Sequence, residues 1–171
     1  KGIAKIFAVM GMYPVGYYDL SVAGVPVHST AFRPVDDHAL QTNPFRVFTS
    51  LLRLELIEDA NLRAQAAAIL SQRTIFPSGL LELAEQAHMS GGLTELQVTE
   101  FVAAATAVFR WHRQATVDQD TYRKLHEAHR LVADIVCFKG PHINHLTPRA
   151  LDIDAVQEAM PQRGIPAKEL I

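Results

Sequence analysis

The sequence predicts an α+β protein, on three observations. Stretches with strand character stand near both ends, at about 15–33, 45–57 and 142–147. Between them, residues 58–135 shift to Ala, Leu, Gln and Glu, the composition of helices. Capping-box patterns at Thr94–Gln97, Thr116–Gln119 and Asp154–Gln157 add three marked helix starts. Read together they give one domain in three parts: a helix and sheet strands at 1–57, a four-helix insert or layer at 58–137, and a strand, helix and following strand at 138–171.

In order, Ile3, Phe7 and Met10 recur at helical spacing, and Gly11 with Pro14 closes that helix. A strand is expected from Val15 to Leu20, then a turn at Ala23-Gly24. The next strand, Val25 to Arg33, alternates: Val25, Val27, Ser29 and Ala31 share one face, His28, Thr30 and Phe32 the other. Pro26 marks an edge strand or a strand entry. A single helical turn is expected near Asp36-Asp37. Residues 45–57 fit both periods, and Pro44 with the β-rich start favours a strand.

The helical block opens with a helix over Ala60–Gln72. A second is capped by Ser78 and ends near Ser90-Gly-Gly92. A third runs from Thr94 to about His112 with Phe101, Ala104, Val108 and Trp111 on one face, and a fourth from Thr116 has an inner stripe of Tyr122, Leu125, His129, Val132 and Val136. Gly140-Pro141 and Pro148 then fence off His142–Thr147 as a strand, so His142 and His145 fall on opposite faces. A helix with Val156 and Met160 inward ends near Pro161 and Gly164, and residues 165–171 read as the last strand.

Composition excludes several classes. With 171 residues, 49% hydrophobic, the chain can bury a substantial core. A net charge of −2 and no basic run longer than two residues argue against nucleic acid or a polybasic membrane surface as partner. No apolar run has the length of a bilayer span. The single Cys137 excludes an internal disulfide framework and fits a reducing, cytoplasmic compartment; it reads as a small buried hydrophobe. Gly2–Gly11 reads as a helix already under way and Ala167–Ile171 as a strand cut short, so the chain is expected to be a piece of a longer one.

Two histidines stand out. His28-Ser-Thr30 and His145-Leu-Thr147 each set a hydroxyl beside an imidazole on one face of a strand. His145 then serves as one ligand of a 2-His-1-carboxylate iron site, or the two His-x-Thr units face each other as acid and base in metal-free phosphoester cleavage, or both residues only pack, as in a non-catalytic α+β module. His126 and His129, three apart on a helix, have no third ligand beside them.

Five runs carry a resemblance: Met10-Gly-Met-Tyr-Pro14, Tyr17-Tyr-Asp-Leu20, Val25-Pro-Val-His-Ser-Thr-Ala-Phe-Arg-Pro34, Asn43-Pro-Phe-Arg-Val-Phe-Thr-Ser-Leu-Leu-Arg53 and His142-Ile-Asn-His-Leu-Thr-Pro-Arg149. Over essentially its whole length the chain resembles the 2-oxoadipate dioxygenase/decarboxylase family. The resemblance implies a curved, vicinal-oxygen-chelate-like sheet around a metal, with added helices. It implies Fe(II) as cofactor, held by two His and one Glu, and conversion of 2-oxoadipate and O₂ to 2-hydroxyglutarate and CO₂ in lysine breakdown. The last His of the His-Ile-Asn-His motif matches His145, which it makes a metal ligand and a neighbour of bound 2-oxo acid. The other His, from a His-Gly-Ala-Ile-Arg type motif whose Arg takes the distal carboxylate, and the Glu have no match here. For His142, Asn144, Arg33 and Arg149 the resemblance leaves supporting, structural or surface roles.

Overall fold

The computed structural model describes residues 1–148, 150 and 152–167, with residues 144–148 described through their backbone alone. Among the described residues the sheet is antiparallel in the order β1 (Tyr13–Asp19), β2 (Val27–Arg33), β3 (Phe45–Leu52), β4 (His142–Pro148). β2 is interior, bonded to strands on both sides, so of the two readings of Pro26 only strand entry holds. β1 forms an edge and starts at Tyr13; the edge tolerates Pro14, and the register slips between Pro14 and Gly16. The expected strand 45–57 stops at Leu52, with a 3₁₀ turn at Leu54–Leu56. Arg53 N–H still donates to the Pro26 carbonyl, but Pro26 has no N–H to return, and the ladder ends there.

Helix α1 (Gly2–Val9) links the sheet to the helices. Its Phe7 packs on Phe32 and Val47 of one sheet face, with ring centroids 4.9 Å from Phe32 and 5.6 Å from Phe109. Ile6, on its other side, packs on α4 (Leu80–Ser90) and α5 (Glu95–Val108) through Leu80, Ala84, Phe101 and Val108. Met10, the last of the three residues at helical spacing, is the exposed cap residue before Gly11, whose φ of +71° turns the chain back. A second cluster joins α3 (Ala60–Ser71), α6 (Gln119–Ala128) and α7 (Arg130–Val136) through Leu62, Leu125, Val132 and Val136, and takes in Leu52 of β3. Asp36 caps the expected single turn α2 (Asp37–Thr42).

Several helix starts differ from expectation. α4 begins after Gly79 (φ +82°), not on a Ser78 cap. The Thr94–Gln97 capping box forms as expected, but α5 ends at Val108 and Trp111 is 82% exposed. Thr116 does not cap a helix: its hydroxyl and its N–H both donate to the Cys137 carbonyl at the end of α7, while Asp118 caps α6. The expected fourth helix is two, because His129 is extended (φ −171°, ψ 133°) and its Nδ1 accepts from the Leu131 N–H to cap α7. α8 (Ile153–Gln162) is capped by Asp152 rather than Asp154, and Val156 is exposed. Ile165–Ala167 form no strand, and Lys168–Ile171 lie outside the described residues.

Candidate functional site

Residues directly opposite in an antiparallel pair share a sheet face. The register therefore draws a row across all four strands: Tyr18, Ser29, Ser50, His142. The adjacent row is Gly16, Ala31, Phe48 and position 145. Both belong to the face on which Val27, Ser29 and Ala31 are buried; Phe32, Val47 and Ile143 lie in the cluster on the other face, under α1.

Between these rows β4 carries a bulge. Phe48 pairs with His145 but Thr49 with Ile143, so Asn144 is the extra residue. This corrects the expectation that His142 and His145 stand on opposite faces. Their partners, Ser50 and Phe48, are two apart on β3, and the register gives positions 142 and 145 the same face. It also parts Ile143 from that face. The side chain of His145 lies outside the described residues, as does Arg149.

Around position 145 the face is polar and partly buried. Ser29 Oγ and Ser50 Oγ are 2.7 Å apart, both buried. His142 is half-buried, and its Nδ1 is buried without a hydrogen-bond partner. Burial holds its pKa below the ordinary histidine value, against an upward pull from Asp134 on α7, so the ring is neutral at pH 7. Tyr18 leans over Gly16, where an added Cβ would meet its hydroxyl at 2.9 Å, and its ring lies 5.8 Å from that of Phe48. The Arg46 guanidinium sits 5.1 Å above the Phe48 ring. Sequence reading passed over Tyr18 and Arg46, which become neighbours of position 145 only through the register.

The paired His-x-Thr arrangement does not form. His28 sits opposite Leu51 and position 145 opposite Phe48, three residues apart on β3 and therefore on opposite faces. His28 Nδ1 instead lies 2.7 Å from the Tyr17 hydroxyl. Beside it, Arg53 donates at 2.7 Å to both Asp19 and Glu55. Arg33 donates to the Pro34 carbonyl, a local structural bond.

As a test of the implied iron, no three His, Cys, Asp or Glu side chains among the described residues are placed to hold a metal ion. These residues do not fit a complete coordination set; they offer a neutral imidazole at 142 on the face that also carries position 145.

The family model described as 2-oxoadipate dioxygenase/decarboxylase matches residues 1–171. Curated relatives of that name are 63% identical in Escherichia coli K12 and 60% identical in Pseudomonas putida, each over 99% of this chain. The chain spans 38% and 36% of their respective lengths. The crystal structure of hydroxyglutarate synthase from P. putida in complex with 2-oxoadipate is 61% identical with a TM-score of 0.83, covering 95% of this chain and 36% of that one. A glyoxalase superfamily structure from Ralstonia eutropha, 20% identical over 97% of this chain and 50% of that one, has a TM-score of 0.70 and shows the shared fold. With a family match over its full length and such identity to relatives of one name, the chain belongs to the 2-oxoadipate dioxygenase/decarboxylase family.

Proposed function

We propose that, in a protein of its relatives' length, this chain supplies the metal ligand His145 and one wall of an Fe(II) centre that turns 2-oxoadipate and O₂ into 2-hydroxyglutarate and CO₂, in cytoplasmic lysine breakdown. The reaction balances without a further reductant, since both oxygen atoms of O₂ end in the two products. The observation that carries the reading is 60–63% identity across 99% of the chain to relatives named for this chemistry.

Iron at such a centre supplies a place where O₂ and the 2-oxo acid meet and polarises the keto group. The chain's own part is to hold and surround. Position 145 follows a bulge, a feature common beside active sites because it re-aims the strand. The Ser29–Ser50 pair stiffens the strands behind it, and the neutral ring of His142 adds no charge that would repel a metal.

Chelation tests the reading in the intact protein. Stripping the metal is expected to abolish 2-oxoadipate turnover, and Fe(II) added without O₂ present is expected to restore it once O₂ is admitted. Full turnover in the presence of chelator sinks the reading.

A further inference from the structure

We infer that Arg46 is an anion-binding residue of this site, taking the carboxylate next to the keto group of the 2-oxo acid. The inference rests on the reading above, because it needs His145 at the metal.

Arg46 lies on the same sheet face as Phe48 and Ser50, opposite Thr147, one row beyond position 145. Its guanidinium does not extend straight into solvent; it folds back 5.1 Å over the Phe48 ring, and Phe48 is the direct cross-strand partner of position 145. Directly opposed residues have Cβ atoms roughly 4.5–5.5 Å apart, so the cation stacks on the immediate cross-strand neighbour of position 145. A guanidinium held over a ring keeps N–H groups for other partners, and its planar fork suits two parallel bonds to a carboxylate. Among the described residues no carboxylate occupies that edge: the ion pairs found there are those of Lys5, Arg53 and Arg123. Arg46 is also exposed, so a ligand can reach it. By contrast, Arg53 is already bonded to two carboxylates and faces away with His28. With its guanidinium folded back over the partner of position 145, Arg46 meets the end of the substrate that lies at the metal, where every 2-oxo acid carries its carboxylate.

The test uses the intact, Fe(II)-loaded protein without O₂, titrated with 2-oxoadipate and with 2-oxohexanoate, which keeps the 2-oxo carboxylate and lacks the distal one. Arg46→Gln is expected to weaken both by roughly 10- to 100-fold, the scale of a lost charge-assisted bond, with iron content unchanged. Arg46→Lys is expected to recover only part, since the ammonium keeps the charge and loses the planar fork. Unchanged affinity for both acids overturns the inference, and so does a loss confined to 2-oxoadipate, which would place Arg46 at the other carboxylate. Loss of iron from the variant also overturns it, as the residue would then be holding the metal site together. Failure of the wild-type protein to bind either acid when iron-loaded would instead overturn the reading on which the inference rests.

Discussion

His142 shows how one residue's surroundings set its chemistry. Its Nδ1 is buried without a partner, which costs about 1–3 kcal/mol when nothing compensates. Burial favours the uncharged ring more than Asp134 opposes it, so the folded pKa lies below the unfolded value. Above about pH 6.5 neither state is protonated, whereas as pH falls below that the unfolded chain takes up a proton before the folded one does. Stability is therefore lost on acidification from about pH 6.5 down to the folded pKa. Urea midpoints at neutral and mildly acidic pH, compared between wild type and His142→Gln, measure this. The wild type is expected to lose more stability than the variant; equal losses would mean that the ring is solvated. Cys137 is the apolar counterpart: burial first, then Asp134, pushes its thiol up to about 11, so it is an inert packing group as its lone occurrence predicts.

At the scale of elements, legibility followed the range of the interaction. Capping is local, and the Thr94–Gln97 box forms as written: Thr94 Oγ1 accepts from the Gln97 N–H while Gln97 reaches back to the Thr94 N–H. Thr94→Ala is expected to cost about 1 kcal/mol, read as a lower urea midpoint, and Gln97→Ala, which removes the other bond of the pair, is expected to lower the midpoint as well. Thr116–Gln119 has the same pattern and fails, because both donors of Thr116 are drawn to the Cys137 carbonyl, 21 residues away in sequence. No window of a few residues contains that competitor. The break at His129 is similar: the stripe Tyr122, Leu125, His129 and Val132 is periodic in sequence, yet the imidazole caps a new helix instead of continuing the old one. The bulge at Asn144 is the costliest miss, since an extra residue shifts every later side chain by one face and Asn144 carries no glycine signal for it. The strand itself was readable from Pro141 and Pro148; which of its residues share a face was not.

For the molecule as a whole, the sheet and helix content was legible from composition and punctuation, whereas the candidate site needed the register, because Tyr18, Ser29, Ser50 and His142 come from four strands up to 124 positions apart. The same long-range logic bears on metal affinity. A metal site gains its affinity from several donors fixed in place by the fold, and among the described residues no three are so placed. The chain also spans only 36–38% of the lengths of the relatives it matches in P. putida and E. coli. Residues 1–171 alone are therefore expected to bind divalent metal weakly, and the intact protein to bind one equivalent tightly. Anaerobic equilibrium dialysis with Fe(II), or with Co(II) as a spectroscopic surrogate, compares the two directly. The isolated chain should retain metal at least about 100-fold more weakly, since removing a single hydrogen-bond partner of a metal ligand typically costs roughly 10–100-fold and the proposed centre draws whole ligands from outside residues 1–171. Circular dichroism on the same samples separates a folded chain with a poor site from an unfolded one. A folded isolated chain that binds one equivalent as tightly as the intact protein would mean that the ligands all lie within these 171 residues, and that the proposed ligand at 145 has partners nearer than the family pattern implies.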